Sequence, residues 1–220
     1  MIFQKEDRLI MQGDSITDAG RARPMSDRNG SLGNGYVDNV SAFLLAAYPE
    51  LGIRVSNAAI GGNNTRDLLN RWKEDTLDLA PDWVSIMIGA NDVWRHFDRP
   101  LAKEALVELS EYKENYSKII EQTLPSVKGI ILLEPYYMGQ SSDDPFRQRM
   151  LEYAAAVKDL ADRYHLYFAP TQKLIDDYLK YWHPHMLSWD LIHPNHTANM
   201  LIAKSFLNAA EFDWNRMSDM

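Results

Sequence analysis

Short apolar runs alternate with longer amphipathic stretches along most of this chain. Five runs read as strands: residues 8–13, 53–57, 83–89, 129–134 and 166–169. Each is a near-continuous block of apolar side chains rather than an in-and-out alternation, the pattern of a parallel sheet covered on both faces. Between them, residues 35–48, 65–80, 101–123, 144–164, 171–181 and 196–210 carry helical spacing. Pro49, Pro81 and Pro125 stand near helix ends, and Thr171, following Pro170, reads as an N-cap. This repetition predicts an α/β fold, a three-layer α/β/α sandwich around a parallel sheet of about five strands. No repeat, low-complexity segment or linker interrupts the pattern, so residues 1–220 read as one domain.

Composition narrows the function classes. With 45% hydrophobic and 11% aromatic residues, the 220-residue chain can bury a full core without cross-links. The absence of cysteine excludes disulfides, thiolate catalysis and cysteine-ligated zinc. A net charge of −8 disfavours nucleic-acid backbones and anionic membranes as partners, because both select basic surfaces. No stretch approaches the ~18 apolar residues of a membrane span. The apolar Leu9, Ile10 and Met11 behind Lys5, Glu6 and Asp7 are too few for a signal peptide, so a cytoplasmic location is expected.

In sheets of this kind ligands bind at the carboxyl ends of the strands. Gly13-Asp14-Ser15 follows the first strand, Gly61-Gly62-Asn63 the second, Gly89-Ala90-Asn91-Asp92 the third and Glu134-Pro135-Tyr136 the fourth. A serine there needs a base to take its proton and a carboxylate to hold the base. Asp190 and His193 supply both if residues three apart share one face of a turn. Ser15 is the candidate nucleophile, His193 the base and Asp190 its partner. The N–H groups of Ser15 and Gly62 and the side-chain amide of Asn91 are the candidate oxyanion donors. Asp14, beside Ser15, reads as a structural acceptor for backbone amides.

Each block alone is an ordinary turn or cap, and only their joint placement argues for catalysis. There is no Gly-x-Ser-x-Gly elbow, phosphate loop or His-Glu-x-x-His motif. His183, His185, His193 and His196 crowd one segment and raise a metal site as a rival. Pro184 and the alternating faces of His-x-His argue against it, so neither a metal nor another cofactor is expected. Arg21, Arg23, Arg54 and Arg71, with surface aromatics, suit an interface between copies and equally a solvated surface or substrate binding, and a homo-oligomer is one expectation.

Taken in order, Gly13-Asp14-Ser15-Ile16-Thr17, Gly62, Gly89-Ala90-Asn91-Asp92 and Asp190-Leu191-Ile192-His193 resemble the conserved blocks of the SGNH (GDSL-type) hydrolase superfamily. The resemblance implies an SGNH/flavodoxin-like fold and assigns the same roles to Ser15, Gly62, Asn91, Asp190 and His193. Gly20-Arg21-Ala22-Arg23-Pro24, Gly35-Tyr36-Val37, residues 48–55 and 81–95, and Trp189-Asp190 extend it to the intracellular bacterial acetylxylan esterases of that superfamily. It implies an acetylated xylo-oligosaccharide, or a related small ester, as substrate. Trp94, Trp189 and Tyr136 are the candidate sugar-stacking residues. Thioesterases and lysophospholipases share this catalytic set, and a catalytically silent carbohydrate-binding protein on the same fold is the answer of a different class.

Overall fold

The five apolar runs form a single parallel sheet in the computed structural model, which describes residues 1–26 and 30–217. The strands are β1 (Arg8–Gly13), β2 (Arg54–Asn57), β3 (Trp83–Met87), β4 (Gly129–Leu133) and β5 (Tyr167–Ala169), in the order β2-β1-β3-β4-β5. Every residue of β3 is buried, and Leu9, Val84, Ile130 and Leu132 are fully enclosed, as strands covered on both faces require. Register runs Leu9 to Val55 on one side and Leu9 to Trp83 on the other, then Val84 to Ile130 and Leu132 to Phe168.

Eight α-helices surround the sheet among the described residues: α1 (Ser15–Asp18), α2 (Tyr36–Ala47), α3 (Thr65–Asp75), α4 (Ala90–Asp98), α5 (Leu109–Thr123), α6 (Pro145–Arg163), α7 (Thr171–Leu179) and α8 (His196–Ala209). Helices α2, α7 and α8 pack together on one face, and α3, α5 and α6 on the other. None of them is long and apolar enough to cross a membrane.

Three expectations need correction. The helix expected over 65–80 stops at Asp75, because the chain tightens into a 3₁₀ turn over Leu77–Leu79 and leaves it through left-handed Ala80. The helix expected over 101–123 begins only at Leu109, behind an irregular segment with a 3₁₀ turn at Lys103–Ala105. Thr171 is the first helical residue of α7 rather than its cap, a position held by Pro170. Helix α4 is not among the helices expected above; it starts within the Gly89-Ala90-Asn91-Asp92 block. Its first turn buries Asn91 and Asp92, so it lacks the apolar face that helical periodicity detects.

Successive strands are added on opposite sides of β1, so the strand order reverses between β1 and β3. In sheets of this kind such a point of reversal is where a crevice forms at the carboxyl edge. Ser15 leaves β1 there and Asn91 leaves β3 beside it.

Candidate active site

Gly13 ends β1 where only a glycine fits. A Cβ at this position would lie 2.3 Å from Thr17 Oγ1 and 2.4 Å from the Met87 carbonyl oxygen. Strand β1 therefore closes tightly against β3 before the chain turns. Asp14 caps α1, its Oδ1 accepting from the Ile16 N–H at 2.9 Å, and this sets Ser15 as the first helical residue at the mouth of the crevice.

The Ser15 Oγ lies 2.8 Å from Nε2 of His193, a residue 178 positions later in the chain. His193 Nδ1 lies 2.6 Å from Asp190 Oδ2. The turn that joins them is not helical, contrary to the spacing argument. Leu191 has φ 69°, and Asp190 Oδ1 folds the loop around itself by accepting from the Ser188 hydroxyl and the N–H groups of Ile192 and His193. Burial alone would raise the Asp190 pKa. The His193 side chain, these two N–H groups and the Ser188 hydroxyl outweigh burial and hold it below the usual carboxylate value. An ionised Asp190 only accepts, so Nδ1 carries a proton and a neutral imidazole presents its Nε2 lone pair to Ser15. This arrangement can draw a proton from a serine hydroxyl.

The segment after β4 braces the histidine loop. Met138 N–H donates to the Leu191 carbonyl at 2.9 Å, and the Tyr136 hydroxyl to the Ile192 carbonyl at 3.1 Å. Tyr136 is therefore not a sugar platform. It is 1% exposed, and its ring is committed to the core behind the loop. Trp94 tilts against the His193 ring with centroids 5.8 Å apart, whereas Trp189 stands 80% exposed next to Asp190.

Gly61 and Gly62 occupy the turn from Ile60 to Asn63, closed by the Asn63 N–H on the Ile60 carbonyl at 3.3 Å. Gly62 sits at φ 84°, the third position of a turn that favours glycine. A Cβ on Gly61 would touch Ser15 Cβ at 3.8 Å, which places the glycine pair against the serine. Asn91 joins from α4, its Nδ2 donating to the Asn63 carbonyl at 2.9 Å, while Arg95 Nη2 donates to its Oδ1 at 2.8 Å. With Oδ1 engaged by a guanidinium, the amide cannot flip, and its NH₂ stays toward the glycine turn.

Sequence reasoning missed the residues that hold this turn. Asp18 Oδ2 accepts from the Gly61 N–H at 3.0 Å and pairs with Arg23. Arg71 Nε donates to Asn63 Oδ1 at 2.6 Å, and its Nη groups reach the Ala58 and Gly13 carbonyls. Arg21 Nε donates to the Ala59 carbonyl at 2.7 Å. Arg21, Arg23 and Arg71, grouped above as interface residues, thus lock the loop beneath the crevice. Their signal was faint, since arginine reads as surface until its carbonyl partners are known. His183 and His185 lie side by side in the turn before the histidine loop, with ring centroids 5.0 Å apart. Among the described residues no three His, Cys, Asp or Glu side chains gather as a metal-binding group.

Two further carboxylates are buried beneath the site. Asp92 accepts from the Thr65 N–H at 3.0 Å and hydroxyl at 2.5 Å, tying α4 to the start of α3. Burial pushes its pKa up to about 7, against the pull of Thr65 and with a further push from Asp14. Burial likewise pushes Asp14 up to about 6, against the Ile16 N–H and His193. Both lie above the value near ~4 of an unfolded chain, so between about pH 4 and about pH 7 the folded state holds more protons and stability falls as pH rises. Asp92→Asn keeps an acceptor for Thr65 but cannot titrate. Denaturant unfolding of both proteins should show the difference in stability moving in the variant's favour across that window and levelling above about pH 7. A difference independent of pH would mean that Asp92 does not titrate there.

The sequence profile of the GDSL-like Lipase/Acylhydrolase family matches residues 12–201. An acetylxylan esterase of Geobacillus stearothermophilus is 46% identical over 211 residues, covering 96% of each chain. The crystal structure of an acetylxylan esterase from that organism superposes with a TM-score of 0.95 at 46% identity, covering 97% of this chain and 98% of its own. Catalytic mutants of that enzyme, also solved, replace a serine, an aspartate and a histidine by alanine. An α/β-hydrolase from the metagenome of Lake Arreo, Spain, superposes with a TM-score of 0.94 at 40% identity, covering 96% of this chain and 98% of its own.

Proposed function

The chain belongs to the GDSL-like lipase/acylhydrolase family, and on that premise we propose that it is a cytoplasmic serine esterase that removes acetyl groups from xylo-oligosaccharides. The observation that carries the reading is the continuous hydrogen-bonded path from Ser15 through His193 to Asp190. The near full-length similarity to an acetylxylan esterase supports the substrate class.

In the proposed reaction His193 Nε2 takes the Ser15 proton as Oγ attacks the acetyl carbonyl carbon. Asp190 holds the Nδ1 proton and stabilises the imidazolium that forms. The oxyanion is met by the N–H groups of Ser15 and Gly62 and the side-chain amide of Asn91, preorganised by Arg95, Arg71 and Asp18. Collapse of the intermediate expels the sugar oxygen, which leaves with the proton from His193. Water then attacks the acetyl-enzyme, giving its proton to the same nitrogen, and acetate departs as Ser15 is regenerated. Trp94, beside the imidazole, and exposed Trp189 offer rings to the sugar.

Release of the free acid should be measured at equal substrate concentration: acetate from acetylated xylo-oligosaccharides and acetyl-CoA, and fatty acid from a lysophospholipid. The oligosaccharides should give a kcat/KM at least about a hundredfold above the other two, a discrimination of about 2.7 kcal/mol. Hydrolysis of acetyl-CoA or lysophospholipid alone would overturn the sugar assignment and keep the catalytic one.

A further inference from the structure

The crevice at Ser15 is not the only opening on this edge of the sheet. A cavity of about 420 Å³ lies between the C-terminal half of α4 and the first turns of α6. Both helices follow the carboxyl ends of their strands, α4 after β3 and α6 after β4, so the cavity is built from elements that leave the same edge of the sheet as Ser15.

Its lining has two characters. Phe97, Pro100 and Pro145 supply an apolar surface, and Gln148, Arg149 and Glu152 supply polar groups from α6. Arg149 Nη1 is enclosed without any hydrogen-bond partner. Arg149 and Glu152 stand one helical turn apart on α6, yet no ion pair joins them among the described residues. One enclosed guanidinium nitrogen without a partner carries a desolvation cost, and the half-buried Arg149 at the cavity wall can take an acceptor from a ligand there. A ligand that satisfies both walls must donate to a carboxylate, accept from a guanidinium and lay C–H groups on an aromatic face. A pyranose ring does all three, because its hydroxyls donate and accept while its axial hydrogens form an apolar face.

The path between the cavity and the catalytic imidazole is aromatic. Trp94, whose ring meets His193, and Phe97 are three residues apart and share a face of α4. Phe97 in turn stacks on Phe146 at 4.9 Å, and Phe146 on Tyr137 at 4.6 Å. Phe97 is 41% exposed, which leaves a face free for a ligand.

We propose that this cavity is a glycan subsite, holding xylosyl units of an oligosaccharide whose acetyl group lies at Ser15. The assignment rests on the esterase reading above and adds to it a chain-length preference. A monomeric acetylated xyloside occupies the crevice alone, while a longer chain reaches past Trp94 and Phe97 to Arg149 and Glu152.

The test compares wild type with Phe97→Ala, Arg149→Ala and the conservative Glu152→Gln on three substrates: p-nitrophenyl acetate, an acetylated methyl xyloside and acetylated xylotetraose. KM for the tetrasaccharide should rise about tenfold in Phe97→Ala and Arg149→Ala with kcat changed less than about twofold, the signature of lost uniform binding. Kinetics on the two short substrates should stay within about twofold of wild type, which also shows that the variants are folded. Independently, unacetylated xylotetraose should bind wild type by calorimetry and bind the three variants more weakly. Unchanged tetrasaccharide KM and binding in all three variants would overturn the subsite while leaving the esterase intact. A wild type that hydrolyses p-nitrophenyl acetate but no acetylated sugar would overturn both the subsite and the sugar assignment. Equal losses on all three substrates would mean that the cavity supports the fold or the chemistry, not the glycan.

Discussion

Replacing Ser15 by alanine should lower kcat for p-nitrophenyl acetate and for acetylated xylo-oligosaccharides by about 10⁶. The side chain removed is small, and its hydrogen bond is to His193, whose side chain is 37% exposed. Alanine is a good residue for the first turn of a helix, so α1 and the Asp14 cap should persist and the thermal midpoint should change by no more than a few degrees. The loss is chemical: with Oγ gone, no acyl-enzyme forms, and only oxyanion donors and binding remain to assist water. A fluorophosphonate probe should label the wild type at Ser15 and leave the variant unlabelled. This separates an esterase from a silent carbohydrate-binding protein on the same fold, which would show neither turnover nor labelling. Turnover retained in a folded Ser15→Ala variant would move the nucleophile elsewhere.

What the sequence revealed follows from which physical constraints are local. The strands were legible because a parallel sheet buried on both faces admits only apolar residues, and runs such as Ile130 to Leu133 have no other easy explanation. Ser15, Gly62 and Asn91 were legible because they are polar or glycine in the short segments that follow such runs, past the ends of β1, β2 and β3. Helix α4 was not, because its first turn faces the crevice and carries buried Asn91 and Asp92 in place of an apolar stripe. The Asp190–His193 pair was found by its spacing although the geometry behind the spacing is different. A carboxylate that gathers the backbone N–H groups of Ile192 and His193 brings the imidazole back as well as a helical turn would. Tyr136 was misread because proximity in sequence to a strand end does not say which way a ring points; its hydroxyl bond to Ile192 turns it inward. The bracing contacts of Arg21 and Arg71 were illegible for a related reason, since their partners are carbonyls supplied by other segments.

The second large effect is expected at His193. His193→Ala should lower kcat by about 10⁶, as much as loss of Ser15, because either change abolishes the same proton transfer, one by removing the donor and the other by removing the acceptor. The double variant Ser15→Ala with His193→Ala should then be scarcely worse than either single one, since the residues act as a unit. The loop should survive the change. Asp190 keeps the Ser188 hydroxyl and the N–H groups of Ile192 and residue 193, while Tyr136 and Met138 still hold the Ile192 and Leu191 carbonyls. Added imidazole should restore part of the activity of His193→Ala and none of that of Ser15→Ala, because only the former retains a hydroxyl in need of a base. His183→Ala and His185→Ala should keep wild-type turnover within about twofold, as both rings lie in an exposed turn against each other rather than against Ser15. Asp190→Asn should fall between these limits, near 10⁴, because an amide can present its N–H to Nδ1 and reverse the imidazole tautomer that Ser15 requires. A His183 or His185 variant as inactive as His193→Ala, or a His193→Ala enzyme of normal rate, would show that the proton leaves Ser15 by another route.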